Sequence, residues 1–284
     1  ILVDFRTILI LIVLVAIFTY LKPVFLYGSN LLSMLKRMSY VAITAFGMTF
    51  LLTLGVFDMS AGSLAALTGV VLAYGLNKGV SVAVMLPAVI VMAVLCGLLN
   101  GIIIVKGKIP AFLTTLATMN ILRGLAQTIT SGRTVSIKIK GLTDFFGNGM
   151  VFGVIPTPVI IMLVFFAVAL FLFYKTKLGF YCRCIGGNGE SAKVAGIAVD
   201  KIQMAAFAMM GFCSGIAGLI LAGLMNAGMP SLGQDLAMDG IASAVLGGTA
   251  ISGGLGTMWG TIAGTLIMAI LNSGLSLLGA QSDV

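Results

Sequence analysis

The sequence contains very few charged residues. Of its 284 residues, 8% are Asp, Glu, Lys or Arg and 60% are hydrophobic, and the mean hydropathy is +1.19. Such a composition does not supply enough polar surface to cover a water-soluble globule, which excludes a soluble domain. Histidine is absent and only eight residues are acidic. Proton and sodium relays in membranes use these residue types, so the sequence offers few candidate residues for an ion-driven transporter.

Motifs for chemistry are missing as well. No GxxxxGK[ST] phosphate loop occurs, which excludes ATP hydrolysis by this chain through such a loop. Cys182 and Cys184 form the one Cys-x-Cys motif, and without histidine we predict ordinary reduced thiols and no zinc site. The net charge of +8 is scattered over membrane-flanking positions, which indicates lipid headgroups and not nucleic acid as its partner. We therefore predict no enzymatic activity and no cofactor bound by this chain.

Long apolar runs are what the sequence has in abundance. Residues 8–20, 159–173 and 205–224 are apolar without the alternation typical of barrel strands. A hydrocarbon core about 30 Å thick needs roughly 20 residues per helix, and we place about nine spans along the chain. The predicted fold class is all-α, a polytopic transmembrane helix bundle. Residues 27–39, with Lys36 and Arg37 opposite a leucine-rich face, indicate a short helix at the membrane interface.

The chain shows two related halves. The motif GVFDMSAG at 55–62 resembles GGTAISGG at 247–254, and the apolar run after each motif ends at an asparagine, Asn100 or Asn272. Duplicated halves with broken helices at matching positions indicate the binding path of a transporter. We predict a single domain over 1–284, with a first half at 1–174, a charged loop at 175–202 and a second half at 203–284.

The two breaks are expected to border this path, because freed backbone groups at membrane depth need protein or a water-lined cavity. A carboxylate such as Asp58 costs roughly 2.5–3.5 kcal/mol at mid-membrane unless it is paired or hydrated. Two interpretations stay open: Asp58 lines the path, or it caps the next helix by accepting from the amide of Ser60 or Ala61. Pairing with Arg123 is a further hypothesis. The predicted path residues are Asp58, Ser60, Asn100, Thr114, Asn120, Ser252 and Asn272.

Helix packing is the alternative use of several of these residues. Buried asparagines in bundles commonly tie helices together, so the asparagines could serve packing instead of a solute. In the motif GTMWGTIAG, residues Gly256, Gly260 and Gly264 recur every four positions. That spacing puts them on one helical face and permits the close approach of another helix. We predict helix packing for these three glycines.

The charged loop is the one long polar segment between membrane-length apolar segments. It carries Arg183, Glu190, Lys193 and Asp200. A short helix is expected after Gly189, capped by Asn188 or Ser191, with Glu190 and Lys193 on its surface. We interpret it as a docking surface for a soluble partner, and an ordinary solvated loop is the alternative.

Four blocks together resemble the permease subunits of bacterial ABC importers for simple sugars, the group with ribose, galactose and xylose permeases. They are TLGVFDMSAGSLAALTG (53–69), VKGKIPAFLTTLATM (105–119), TKLGFYCRCIGGNGESAKVAGIAVDKI (176–202) and MDGIASAVLGGTAISGGLGT (238–257). The similarity runs over nearly the whole chain and is nearest to the ribose members. The resemblance implies a path for a sugar such as ribose. Within the same superfamily, a permease for an autoinducer, a nucleoside or a branched-chain amino acid is the alternative. Outside it, the alternative is an ion-coupled facilitator that acts alone.

The resemblance also implies partners. These are a second permease copy, a cytoplasmic ATPase that carries ATP and Mg, and a periplasmic sugar-binding protein, all assembled at the bacterial inner membrane. The family has a tenth span after the stretch matching residues 271–280, whereas this sequence ends at Val284. The residues expected to couple the chain to the ATPase are Gly186, Gly187, Asn188, Glu190, Lys193 and Gly196.

Overall fold

A computed structural model describes residues 5–279 as a bundle of helices, which confirms the predicted all-α class. The first half starts with an apolar helix that ends where Lys22-Pro23 interrupts the chain, since proline cannot continue the hydrogen-bond ladder. Four further helices follow. The elements are α1 (Phe5–Leu21), a 3-10 turn (Pro23–Leu26), α2 (Gly28–Thr53), α3 (Ala61–Asn77), α4 (Val82–Gly107) and α5 (Ala111–Thr130).

The polar connection in the middle of the chain forms short elements. Gly147 packs against the backbone of Gly223 and Leu224 so closely that a Cβ on this glycine would overlap them. The connection therefore rests on the end of a later helix. Its elements are β1 (Val135–Ser136), α6 (Lys140–Thr143), a π-helical turn (Asp144–Asn148), β2 (Met150–Val151) and β3 (Ile155–Pro156), and β2 pairs antiparallel with β3.

The second half continues the helical bundle. The helix that follows the charged loop packs against α2, α3 and α4 and forms the centre of the fold. The remaining elements are α7 (Thr157–Lys175), α8 (Lys177–Gly187), α9 (Gly189–Val194), α10 (Val199–Met225), β4 (Ala227–Gly228), α11 (Leu236–Leu246) and α12 (Met258–Leu277).

Four of these helices are long and apolar enough to cross a membrane by length and composition: α4, α7, α10 and α12. Shorter apolar helices include α3 and α11. The helices α2 and α5 are long but contain Lys36, Arg37 or Arg123. The chain is thus a multi-pass membrane protein in which the spans differ in length and polarity.

The prediction of a separate interfacial helix at 27–39 is wrong. These residues form the first turns of α2, which runs without interruption to Thr53. Arg37 on this helix lies 3.8 Å from a carboxylate oxygen of Asp239. Because the basic side chain has a partner within the bundle, the helix continues past it.

Glycines allow α10 to approach its neighbours. A Cβ on Gly211 would overlap the carbonyl oxygen of Ala93 in α4, and one on Gly218 would overlap that of Ala65 in α3. Such contacts between backbones are the means by which membrane helices pack without a hydrophobic driving force. The helices α3 and α4 therefore pack directly against the backbone of α10 in the core.

The bundle has two distinct ends. At one end, Lys106 in the last turn of α4 lies 3.9 Å from Asp200 at the start of α10, next to α8 and α9. We call this the coupling end. At the other, the far end, β1 pairs antiparallel with β4, and Asn77 donates a hydrogen bond of 2.9 Å to the carbonyl oxygen of Ser136. The far end thus joins the first half of the chain to the second.

Candidate functional site

The two helix breaks meet at the coupling end. They are the first break, residues 54–60 between α2 and α3, and the second break, residues 247–257 between α11 and α12. The amide of Gly254 donates a hydrogen bond of 2.8 Å to the carbonyl oxygen of Thr53, the last residue of α2. A Cβ added to Gly55 would lie 3.4 Å from the carbonyl oxygen of Ser252. The similarity between the two motifs therefore corresponds to physical contact.

The charged loop enters this contact through a glycine. A Cβ on Gly186, near the end of α8, would overlap the carbonyl oxygen of Thr53, and the amide of Gly254 lies 2.5 Å from the same position. Gly253 and Gly254 have φ angles of 91° and 82°, a conformation that favours glycine. We call the backbone contact of Thr53, Gly186, Gly253 and Gly254 the glycine junction. It connects the charged loop directly to both breaks.

Helix α9 is a short, rigid projection beyond this junction. The side chain of Asn188 accepts a hydrogen bond of 3.0 Å from the amide of Ser191, which caps the start of the helix. At its end, Gly196 adopts a φ of 81°, and the amide of Ile197 bonds to the carbonyl oxygen of Ala192. This is a Schellman ending, in which glycine supplies the left-handed residue. Both ends of α9 are therefore fixed by its own sequence.

The surface of α9 faces solvent. Lys193 donates a hydrogen bond of 2.8 Å to Glu190; this bond and the attraction of the charges lower the pKa of Glu190 and raise the pKa of Lys193. Val194 is 91% exposed although it is apolar. One helix thus presents an ion pair beside an open apolar side chain, a surface suited to contact with another protein.

Aromatic side chains brace α8 against the helices behind it. The guanidinium of Arg183 lies 5.1 Å from the ring centre of Phe173 and 5.9 Å from that of Tyr174, both in α7. The Tyr174 hydroxyl in turn lies 3.2 Å from Thr257 Oγ1 and accepts from the amide of Met258, where α12 starts. These contacts join α8 to α7, and α7 to the start of α12.

Three predicted path residues come together at the first break. Asp58, which is buried, accepts hydrogen bonds at Oδ1 from the amide of Ser60 at 2.7 Å and from its hydroxyl at 2.6 Å. Asn100 in α4 donates to Ser60 Oγ at 3.0 Å, and Thr118 in α5 donates to Asn100 Oδ1 at 2.7 Å. We call these four residues the Asp58 network. It ties the first break to α4 and α5, and the bond from the Ser60 amide is the one expected for a capping role.

The other predicted path residues lie elsewhere. Thr114 is buried one turn before Thr118, and its hydroxyl has no hydrogen-bond partner among the described residues. Asn120 lies on the exposed face of α5 and bonds to the carbonyl oxygen of Leu116 within its own helix. Ser252 is exposed in the second break, and Asn272 lies in the far half of α12. The predicted set therefore does not form one continuous lining within a single chain.

The hypothesis that Arg123 pairs with Asp58 is wrong. The Arg123 guanidinium donates to the carbonyl oxygens of Pro230 and Leu232, the latter at 2.8 Å. These acceptors belong to the segment between β4 and α11 at the far end. Backbone carbonyls accept hydrogen bonds from the half-buried guanidinium without a counter-charge, an outcome that residue types alone do not reveal.

A polar cluster that the sequence reasoning missed lies between α2, α11 and α12. Asp239 lies 3.8 Å from Arg37, and Asn272 hydrogen-bonds to the same carboxylate. Nearby, Ser273 donates a hydrogen bond of 3.1 Å to Asn30. The signal in the sequence was an acid, Asp239, and a base, Arg37, beside apolar stretches, since charges inside a membrane bundle commonly pair with each other.

The glycines assigned to helix packing occupy two surroundings. A Cβ on Gly260 would overlap the carbonyl oxygen of Gly247, and one on Gly264 would overlap that of Ser243. These two residues face α11. Gly256 precedes α12 and lies against the hydroxyl of Thr53 in α2. Of the three glycines, Gly260 and Gly264 thus allow the close contact between α11 and α12, and Gly256 does not take part in it.

The described residues offer no site for a bound metal. Within 5–279, no group of three or more Cys, Asp or Glu side chains lies close enough to hold an ion. The thiols of Cys96, Cys182, Cys184 and Cys213 are free. Burial raises the pKa of Cys182 to about 12, so this thiol is protonated at neutral pH.

Comparison with known proteins gives the family. The chain is 38% identical to the ribose import permease protein RbsC of Haemophilus influenzae, over 99% of this chain and 88% of that protein. It is 36% identical to RbsC of Bacillus subtilis, over 96% and 84%, and 34% identical to the L-arabinose ABC transporter permease protein AraH of Azospirillum brasilense, over 97% and 80%. No solved structure matches the chain. Residues 30–284 match the family described as branched-chain amino acid transport system / permease component, and the chain belongs to this family of permease components.

Proposed function

We propose that this chain is the membrane-spanning subunit of an ATP-driven importer that carries a simple sugar, such as ribose, across the bacterial inner membrane. The names of its relatives, import permeases for ribose and L-arabinose, support the sugar. The single observation that carries the mechanism is the glycine junction, in which an exposed short helix is joined through backbone contacts to both helix breaks. The chain itself supplies the path and performs no chemistry.

The energy enters through α9. A cytoplasmic ATPase, which binds ATP and Mg, docks on Glu190, Lys193 and the open side chain of Val194. When its nucleotide sites close, α9 and α8 move together because Asn188 and Gly196 fix both ends of the short helix. The glycine junction passes this movement to the breaks, and the two halves rock against each other around the path.

The path runs along the open face of α5, between two copies of the chain. Asn120, Gly124 and Gln127 lie on one face of this helix, and Asn120 and Gln127 have exposed side chains in the single chain. Asn120 donates to Leu116 within its helix, but polar amide groups that face lipid have acceptors and donors left over, so this face calls for protein or water. A second copy provides the cover in a homodimer. A periplasmic binding protein delivers the sugar at the far end.

Reconstitution tests the proposed function. Proteoliposomes containing the chain together with its ATPase, the binding protein and labelled D-ribose should accumulate sugar only when ATP reaches the ATPase. Accumulation driven by an ion gradient with this chain alone would show instead a facilitator or secondary transporter. The family description favours branched-chain amino acids as the second candidate substrate. Uptake of labelled leucine, and not ribose, would establish that candidate.

Docking of the ATPase can be tested separately. Val194→Asp places a charge at the centre of the proposed contact, and we expect copurification of the ATPase to fall at least tenfold while the permease stays folded. Val154→Asp is the matched control, because Val154 is also exposed, at 69%, and lies in the loop between β2 and β3. Equal ATPase recovery with both variants would remove α9 from the interface.

Glu190→Ala tests coupling on the same helix. The exposed Glu190 carboxylate contributes little to stability, so we expect an unchanged unfolding temperature. ATP-driven uptake should nevertheless decrease while ATP hydrolysis continues. Normal uptake per ATP hydrolysed would show that the ion pair is not part of the docking surface.

A further inference from the structure

A polar cavity lies at the far end, and the mechanism above uses only one of its lining residues, Gln127. It has a volume of about 300 Å³ and lies where the end of α5 meets the segment between β4 and α11. We call it the far cavity. Its lining is Arg123, Gln127, Gly132, Thr134, Met229, Pro230, Ser231 and Gln234.

We propose that the far cavity binds a neutral, hydroxyl-rich solute of monosaccharide size before the solute enters the path. This inference rests on the proposed function, because it identifies the far cavity as the site where the sugar first binds to the permease. The donors, the acceptors and the shape of the cavity support it.

The wall of the cavity is held in place by Arg123. Its guanidinium donates to the carbonyl oxygens of Pro230 and Leu232, which fixes the segment between β4 and α11 against α5. The segment is thereby preorganised, so a solute does not have to order it on binding. Both bonds come from Arg123 Nη1, so backbone oxygens engage one nitrogen of the guanidinium.

The remaining polar groups suit hydroxyls. Gln127 and Gln234 each offer an amide that both donates and accepts, and Thr134 and Ser231 offer hydroxyls that do the same. A sugar hydroxyl also donates and accepts, so mixed groups satisfy it better than a charged cluster. Met229 and Pro230 supply apolar surface for the C–H face of a ring. The volume is at the small end of ligand pockets, which suits a solute of monosaccharide size.

The far cavity shares Gln127 with the proposed path face of α5. Gln127 lies seven residues after Asn120 on the same face of α5, which is about 10 Å along the helix axis. A solute that leaves the cavity along this face therefore meets Asn120 next. The cavity and the open face of α5 form one polar route at the far end.

Thiol protection tests this site. Ser231→Cys is made in the full chain, assembled with its ATPase in nanodiscs, and its labelling by a membrane-impermeant thiol reagent is measured with the unsubstituted chain as background. D-ribose at tens of millimolar should slow labelling at least threefold, whereas betaine at equal osmolality should not. Ser81→Cys is the matched control, because Ser81 is exposed at the start of α4 near the same end, and its labelling should not change.

Two arms decide the outcome. Gln127→Leu with Gln234→Leu should abolish protection of Ser231→Cys by D-ribose, since these amides provide the polar recognition. Equal labelling with and without D-ribose, or protection by inorganic phosphate in place of D-ribose, would overturn the inference. If protection fails while ATP-driven uptake persists, the cavity proposal falls and the proposed function stands. If protection occurs but uptake needs no ATPase, the proposed function falls and the binding site remains.

Discussion

The two helix breaks meet in space but are held by different means. The first break is fixed by side chains, because Asp58 bonds to Ser60, and Ser60 connects through Asn100 to Thr118. The second break contains Gly248, Gly253 and Gly254 in left-handed conformations and is fixed by backbone contacts. Related motifs have thus acquired one break that depends on polar groups and one that depends on the absence of side chains.

This difference teaches where each break is sensitive. A side-chain network tolerates small changes of shape and fails when a buried partner is removed, because the remaining polar atoms stay unpaired. A glycine contact tolerates changes of polarity nearby and fails when a single Cβ is added. Gly186 of α8 lies against Thr53, where the first break starts, and against Gly254 in the second, glycine-rich break. A contact made of backbone atoms transmits displacement without rotamer freedom.

The largest expected effect is that of Gly186→Ala. The new Cβ would overlap the carbonyl oxygen of Thr53, and helix backbone must shift to relieve it, at a cost of about 1–3 kcal/mol or more. We expect ATP-driven uptake to fall at least tenfold with a lowered unfolding temperature. Gly187→Ala is the matched control, since nothing lies within 4 Å of a Cβ at that position. Equal behaviour of the two variants would show that the glycine junction does not connect the loop to the breaks.

The next effect concerns Asp58 in the first break. Asp58→Ala leaves the buried amide and hydroxyl of Ser60 without their acceptor, and we expect a loss of about 1–3 kcal/mol in unfolding free energy. Asp58→Asn keeps an acceptor oxygen and should cost less. Thermal unfolding in detergent and uptake are measured on both. Normal uptake by the Asn variant supports the capping role, whereas a folded Asn variant without uptake would support a direct role in the path.

How far the sequence predicts this molecule differs between fold and site. Hydropathy and the Lys22-Pro23, Asn188 and Gly196 signals locate the helices and their ends, because these depend on local chemistry. The glycine motifs predict breaks for the same reason. The partners across the bundle depend on how distant segments pack, as with Arg123, whose acceptors are 107 and 109 residues away. Backbone acceptors have no residue signature, so the pairing with Asp58 was predicted wrongly.

The contacts that the charged loop makes with distant segments could not be predicted from the sequence either. Its polar residues and its caps indicated a short docking helix, which the structure has as α9. A Cβ on Gly186 would overlap the backbone at both breaks, whereas a Cβ on Gly187 would meet nothing within 4 Å. Two adjacent glycines in a sequence do not reveal this difference. The difference arises from the direction in which each residue of α8 faces.

A smaller effect is expected at Gly248 in the second break. A Cβ there meets nothing within 4 Å, but φ is 89°, so only conformational strain opposes a side chain. Left-handed backbone costs other residues about 1–2 kcal/mol, and we expect Gly248→Ala to lower unfolding free energy by that amount. Uptake should remain measurable. A loss as large as that of Gly186→Ala would show that conformation, and not close contact, fixes the second break.

The smallest effect separates the two members of the Asp58 network on α4 and α5. Asn100→Leu and Thr118→Val each remove one side of the 2.7 Å hydrogen bond, and the double variant completes a cycle. We expect a coupling energy of about 0.5–1.5 kcal/mol in unfolding free energy, the usual net value of a hydrogen bond. Ser214→Ala paired with Asn100→Leu is the control cycle, because Ser214 bonds within its own helix to the carbonyl oxygen of Met210. If both cycles give zero, the Asn100–Thr118 bond does not hold the first break to α5, and the bonds between Asp58 and Ser60 remain as the side-chain contacts that fix this break.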